Sequence, residues 1–148
     1  MKFIRTTSNN KDFVALVKEL DAYLALTDGD EHDFYNQFNS IQSLKYVLVV
    51  YVNDVPVGCG AIKPIEVSSM EIKRMYVSTS YRGKGIATKI LKELESWTKE
   101  LKYTSCILET GIRQTEAVAL YKKCNYKIIP NYGQYIGIDN SLCFKKEV

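Results

Sequence analysis

The sequence predicts an α/β (α+β) domain built on a mixed, mostly antiparallel sheet of about six to seven strands with helices on both faces. Three observations carry that prediction. Two β-rich runs, Tyr46 to Val52 and Val55 to Ile65, flank the turn pair Asn53-Asp54, which makes an antiparallel hairpin. Two stretches, one after Asn10 and one after Gly85, repeat apolar residues at helical spacing. Between Met70 and Leu108 the order strand, glycine loop, helix, strand describes one crossover inside an otherwise antiparallel arrangement.

Each element has a local reason. Phe3 to Thr6 reads as a short first strand, and Ser8-Asn9-Asn10 offers side-chain oxygens to start a helix. Phe13, Leu16, Val17, Leu20 and Leu24 form its apolar stripe, and Thr27-Asp28-Gly29-Asp30 ends it. A short second helix is expected over Asp33 to Phe38. After the hairpin comes a strand from Met70 to Val77. A third helix follows, with Ile86, Ile90, Leu91, Leu94, Trp97 and Leu101 on one stripe and charged residues off it. Ser105 to Leu108 reads as a strand, Thr115 to Cys124 as a short helix, and Tyr126 to Ile129 and Leu142 to Lys146 as the last two strands. The order is β-α-α-β-β-β-α-β-α-β-β. The loop Pro130 to Ser141 is long, and long ordered loops tend to carry function.

Composition narrows the class. A chain of 148 residues fits one domain, residues 1–148, around a single core. A net charge of +3, with lysines scattered among acids, does not suit nucleic-acid binding. The longest apolar run, Tyr46 to Val52, is strand-length, so no membrane span is expected. Met1-Lys2-Phe3-Ile4-Arg5 lacks the apolar core of a secretory leader. Cys59, Cys106, Cys124 and Cys143 lack metal-ligand spacing and read as free thiols in a reducing cytoplasm. The acids Asp28, Asp30, Glu31 and Asp33 do not have calcium-loop spacing, so no metal is expected.

The chemistry centres on Arg82-Gly83-Lys84-Gly85-Ile86-Ala87, at the junction of strand and helix. Glycines there leave backbone N–H groups bare, and with the positive end of the helix dipole they suit a phosphate or pyrophosphate. Arg82 and Lys84 add charge. A dinucleotide fingerprint is one reading, since Gly83 to Thr88 is G-x-G-x-x-T and Glu109 stands at a later strand end. Two features oppose it. Ser78 to Arg82 separate the strand from the glycines, and Glu71-Ile72-Lys73-Arg74-Met75-Tyr76-Val77 carries too much charge to be buried on both faces. The spacing of a P-loop is missing.

Arg82-x-x-Gly85-x-Ala87 resembles the R/Q-x-x-G-x-G/A pyrophosphate loop of the GNAT superfamily of N-acetyltransferases. Met75-Tyr76-Val77 looks like that family's cofactor-contacting strand end. Gln114-Thr115-Glu116-Ala117-Val118-Ala119-Leu120-Tyr121 is similar to its N-x-x-A-x-x-L-Y helix, and Lys123-Cys124-Asn125-Tyr126 to its K-x-G-F/Y. The resemblance spans about Val47 to Tyr126. Gln114 replaces the usual Asn and keeps an amide. Asn125 replaces Gly, and Asn is the next residue most able to turn left-handed. Leu108-Glu109-Thr110-Gly111, with the late Tyr-Gly-x-Tyr and Ser-x-Cys-Phe, also looks like one bacterial subgroup.

The resemblance implies acetyl-CoA as co-substrate. It places the pyrophosphate on Arg82, Gly83, Lys84, Gly85, Ile86, Ala87 and Thr88, and the pantetheine arm along Met75, Tyr76 and Val77 like an added strand. It gives Gln114 and Tyr121 to the cofactor as well, makes the Met75 N–H a donor to the carbonyl oxygen, and puts Lys122 and Lys123 near the 3′-phosphate. Acetyl transfer to an amine needs a base, because a free alkylamine has a pKa of about 10.4, and needs an acid for the leaving thiolate. The resemblance makes Tyr121 that acid, although a tyrosine on an apolar helix stripe is ordinarily a core side chain. Glu71, which opens its strand, and Glu109, at the end of the next, are the two candidate bases. His32, in the acidic stretch between the first two helices, Tyr35, in the expected second helix, and Tyr132 and Tyr135, in the late loop, are placed by resemblance at the acceptor pocket.

The expected protein is a GNAT-like N-acetyltransferase of the cytoplasm. Its expected acceptor is a primary amine of a small molecule, with protein N-termini or lysines second, and the resemblance admits a homodimer. A non-catalytic acyl-CoA-binding module is the alternative from another class.

Overall fold

The computed structural model describes residues 1–28 and 43–148. The expected second helix, Asp33 to Phe38, together with His32 and Tyr35, lies outside the described residues. In chain order the elements are β1 (Lys2–Thr6), α1 (Lys11–Asp28), β2 (Tyr46–Val52), β3 (Val55–Pro64), β4 (Ser69–Val77), a 3₁₀ turn (Thr79–Tyr81), α2 (Ile86–Glu100), β5 (Ser105–Gly111), α3 (Thr115–Lys123), β6 (Lys127–Ile129), a second 3₁₀ turn (Gly133–Tyr135) and β7 (Ser141–Glu147). The strands form one seven-stranded sheet in the order β1-β2-β3-β4-β5-β7-β6. Among the described strands, β4 with β5 is the parallel pair and the others are antiparallel.

Local chemistry accounts for the element ends. Asn10 Oδ1 accepts from the N–H groups of Asp12 (2.9 Å) and Phe13 (3.0 Å), so it caps α1. Asn53 and Asp54 both sit at positive φ, 50° and 66°, as a tight hairpin turn requires. Asn125 takes φ 72° just beyond α3, the left-handed conformation expected of it. β5 runs three residues past the expected end at Leu108, because Glu109, Thr110 and Gly111 pair with Cys143, Leu142 and Ser141 of β7.

Both faces of the sheet are covered. Phe13, Leu16, Val17 and Leu20 of α1 pack on Val47, Val49, Cys59 and Ala61. Ile86, Ile90, Leu91, Leu94 and Trp97 of α2, with Tyr121 of α3, pack on Leu48, Val50, Val57 and Ile62. Alternate residues of β2 therefore go to opposite cores, which is why that strand is apolar throughout. Cys59, Cys106 and Cys143 are buried free thiols. Gly60 of β3 lets α2 approach: a Cβ there would stand 2.9 Å from Leu94 Cδ1 and Met75 Sδ. No helix among the described residues is long and apolar enough to cross a membrane.

β4 departs from the sequence reading. It was expected to be too charged for burial on both faces, yet Ser69 to Ile72 are buried, as are Arg74, Tyr76 and Val77. Its charges tolerate this because they are partnered. Arg74 Nη1 lies 3.1 Å from Asp21 Oδ1, and Glu71 receives a hydrogen bond from Tyr132 and an ion pair from Lys73. That argument against a dinucleotide fold therefore falls. The other one stands, since the 3₁₀ turn separates β4 from the glycines.

Candidate active site

β4 and β5 pair only from Ser69–Ser105 to Glu71–Ile107. Beyond that point β4 stays with β3 as far as Val77, and β5 stays with β7 as far as Gly111. The sheet therefore opens between them, and the edge of β4 that faces β5 has no strand partner among the described residues after Glu71. A bulge adds to the opening. Arg74 and Met75 together oppose Gly60, and Arg74 takes φ 60°. The resulting cleft holds about 470 Å³.

The glycine loop closes one end of the cleft. Gly83 and Gly85 sit at φ 76° and 78°, and a Cβ on either would meet no atom within 4 Å. Their hydrogens face open space. Gly85 is the N-cap of α2, whose first internal turn closes with Lys89 N–H to Gly85 O at 3.2 Å. The N–H groups of Ile86, Ala87 and Thr88 thus have no intrahelical acceptor, and those of Gly83, Lys84 and Gly85 donate to no backbone carbonyl among the described residues. This cradle fits a pyrophosphate, and the free edge of β4 fits an extended amide-bearing arm.

The expected cofactor residues gather here. Met75, Tyr76, Val77, Arg82, Gly83 and Gly85 line the cleft, as do Ile86, Ala87, Thr88, Gln114 and Tyr121. Lys84 does not: its Nζ rests 5.3 Å from the centre of the Tyr81 ring. Lys123 lines the cleft and Lys122 does not. Arg82 folds back over the strand end. Its Nε donates to Val77 O at 2.9 Å, and its guanidinium stacks 4.6 Å from the Tyr23 ring.

The expected acid–base residues also converge. Glu71, Glu109, Tyr121 and Tyr135 line the cleft although 50 residues separate the first from Tyr121 in sequence. Glu71 is buried, 5% exposed, not a solvent-facing strand-end acid. Tyr132 stands behind it and donates its hydroxyl to Glu71 Oε2 at 2.6 Å. Tyr135 is 2% exposed and packs edge-on against Tyr132, so this pair is not the surface pair that a solvated loop would carry. Tyr121 is a core residue as well as a cleft residue: its ring meets Tyr126 at 5.9 Å and Phe144 at 5.8 Å. Burial, then the Glu109 charge, push the Tyr121 phenol well above its ordinary pKa of 10.0. Burial and the charges of Glu109 and Glu71 do the same for Tyr135, and burial with Glu71 for Tyr132. All three phenols are protonated at neutral pH.

Several cleft residues were not singled out from the sequence: Leu20, Tyr23 and Leu24 of α1, and Lys73 and Arg74 of β4. The signal for Arg74 was a charge in an otherwise strand-like run. Its significance depends on Asp21, 53 residues earlier.

Comparison with known proteins agrees with this geometry. Residues 13–126 match the family described as Acetyltransferase (GNAT) family. A Xenopus tropicalis protein named "Probable N-acetyltransferase 14" is 31% identical over 112 residues, 75% of this chain and 54% of its own length. An IAA acetyltransferase of Azospirillum brasilense is 32% identical over 131 residues, 82% of this chain and 81% of that one. This chain thus spans about half the first relative and most of the second. A Klebsiella pneumoniae structure described as an acyl-CoA N-acyltransferase superimposes with a TM-score of 0.82 at 26% identity, covering 99% of this chain and 96% of that one. The splayed sheet, the glycine cradle and a family match across most of its length make this chain a member of the GNAT family of acetyltransferases.

Proposed function

We propose that the protein, as one domain over residues 1–148, transfers an acetyl group from acetyl-CoA to the primary amine of a small molecule. The observation that carries this is the opening between β4 and β5, which brings Glu71 and Tyr121 to one cleft with the glycine cradle at its end. Acetyl-CoA supplies an activated thioester carbonyl.

The chain's own residues do the rest. The N–H groups of residues 83–88 hold the pyrophosphate, and the open edge of β4 holds the pantetheine amides. The Met75 N–H, at the bulge, donates to the carbonyl oxygen as charge builds there. Glu71 takes a proton from the attacking amine, and Tyr132 steadies that carboxylate through its 2.6 Å hydrogen bond. Tyr121 gives its proton to the departing sulfur. Burial, then the Glu109 charge, keep that phenol protonated, and Glu109, at the end of β5, stands in the same cleft as the rival base. Tyr135 borders the acceptor, whereas Tyr132 is not among the residues lining the cleft and acts through Glu71.

The test is mass-spectrometric detection of CoA release and acetylated product from purified protein, acetyl-CoA and a mixed panel of amines. Amine-dependent product on small molecules is expected. Product only on peptide N-termini or lysines would replace the acceptor class. Acetyl-CoA binding without any product would point to an acyl-CoA-binding module.

A further inference from the structure

The bulge in β4 decides which side chains share a face. Met70 and Ile72 pack into the core under α2, so Glu71 and Lys73 point to the α1 side. The extra residue then shifts the alternation. Met75 Sδ lies against the α2 side beside Gly60, while Arg74 reaches Asp21 and Tyr76 reaches Glu19, both on α1. Arg74 therefore joins Glu71 and Lys73 on the α1 half of the cleft.

Arg74 is only partly satisfied there. Its side chain is 3% exposed. Nη1 donates to Asp21 at 3.1 Å, but Nη2 is buried without a hydrogen-bond partner among the described residues. A buried guanidinium with one half of its fork unused is costly unless something completes it. Resting on the acetyl transfer proposed above, we infer that Arg74 anchors an anionic group of the acceptor, so that the acceptor is an amine that also carries a carboxylate.

The chemistry favours that occupant. The cradle for the pyrophosphate lies past the far end of β4, beyond the 3₁₀ turn at Thr79–Tyr81, so an anion at Arg74 is not the cofactor's pyrophosphate. Asp21 already takes one guanidinium nitrogen and Glu71 stands on the same face. A singly charged planar carboxylate suits the remaining donor, whereas a doubly charged phosphate meets more repulsion. An acceptor amine at Glu71 and its carboxylate at Arg74 then match the signs of the two groups.

The experiment compares free L-amino acids with their carboxamides and with the corresponding decarboxylated amines, each with acetyl-CoA. It reads kcat/KM, and also calorimetric binding of the same compounds to the protein–CoA complex. The acids are expected to exceed both neutral series by on the order of 10- to 100-fold. Arg74→Lys keeps a cation for Asp21 but lacks the second forked donor, and is expected to remove most of that preference. Equal use of neutral amines by the unmodified protein overturns the inference, as does a preference that survives in folded Arg74→Lys. If acids bind selectively, and lose that selectivity in Arg74→Lys, yet none is acetylated, the anion site stands and the acetyl-transfer reading falls. Neither binding nor turnover of any acid overturns both.

Discussion

Tyr121→Phe removes one oxygen and nothing else. The ring keeps its contacts with Tyr126 and Phe144 at 5.9 and 5.8 Å, so the core loses no volume. The hydroxyl makes no hydrogen bond among the described residues, so no donor or acceptor is stranded. Folding stability is therefore expected to change by no more than about 0.5 kcal/mol, the ordinary range for a substitution that breaks no specific interaction. Catalysis should respond differently. If the hydroxyl protonates the leaving thiolate, its loss removes a general acid, worth roughly 10²- to 10⁴-fold in kcat, or about 3 to 5 kcal/mol of barrier. KM for acetyl-CoA should barely move, because the cradle at residues 83–88 is untouched. The assay is thiol release under saturating acceptor, with Tm and acetyl-CoA affinity measured on the same preparation. The direction of the shift adds a check. Burial and Glu109 raise this pKa above 10.0, so in the unmodified enzyme an alkaline limb due to this proton lies above pH 10. A variant with unchanged kcat and unchanged Tm would falsify the acid role and leave Tyr121 a core residue.

Other outcomes follow from the same geometry. Glu71→Gln should lower kcat/KM by about 10²-fold or more, with Glu109→Gln losing less; steady-state kinetics in the reverse order would exchange the two roles. Gly85→Glu puts a side chain and a negative charge into the open cradle and strains a residue at φ 78°, so calorimetry should show acetyl-CoA binding lost. Normal binding in that variant would move the pyrophosphate site elsewhere. The fold should weaken in alkali. Burial raises the Cys59 thiol from 9.0 to about 12 and Cys106 to about 11, and it raises Tyr121, Tyr126, Tyr132 and Tyr135 above 10.0. The unfolded chain loses these protons first. Their contribution is complete below pH 9 and declines as pH rises through the folded values, by about 1.4 kcal/mol per pH unit for each group in its window. Urea midpoints that stay flat from pH 8 to pH 11 would contradict that burial.

Some of this protein was written in short stretches of sequence. The stripes of α1 and α2, the Asn53-Asp54 turn, the left-handed Asn125 and the glycine loop each depend on residues a few positions apart, and local sterics and hydrogen bonding decide them. The motifs at Arg82 to Ala87 and Gln114 to Tyr121 were legible for the same reason. β4 was not. Read alone, Glu71, Lys73 and Arg74 argue against burial, and only partners distant in sequence reverse that: Asp21 at a separation of 53 residues and Tyr132 at 61. The bulge that turns Arg74 toward α1 arises from register against β3, and the cleft from β5 staying with β7 while β4 stays with β3. Local preference acts over one or two turns of chain. The cost of burying a charge is settled by whatever the folded chain places beside it, so the elements were determined by the sequence and the site by their meeting.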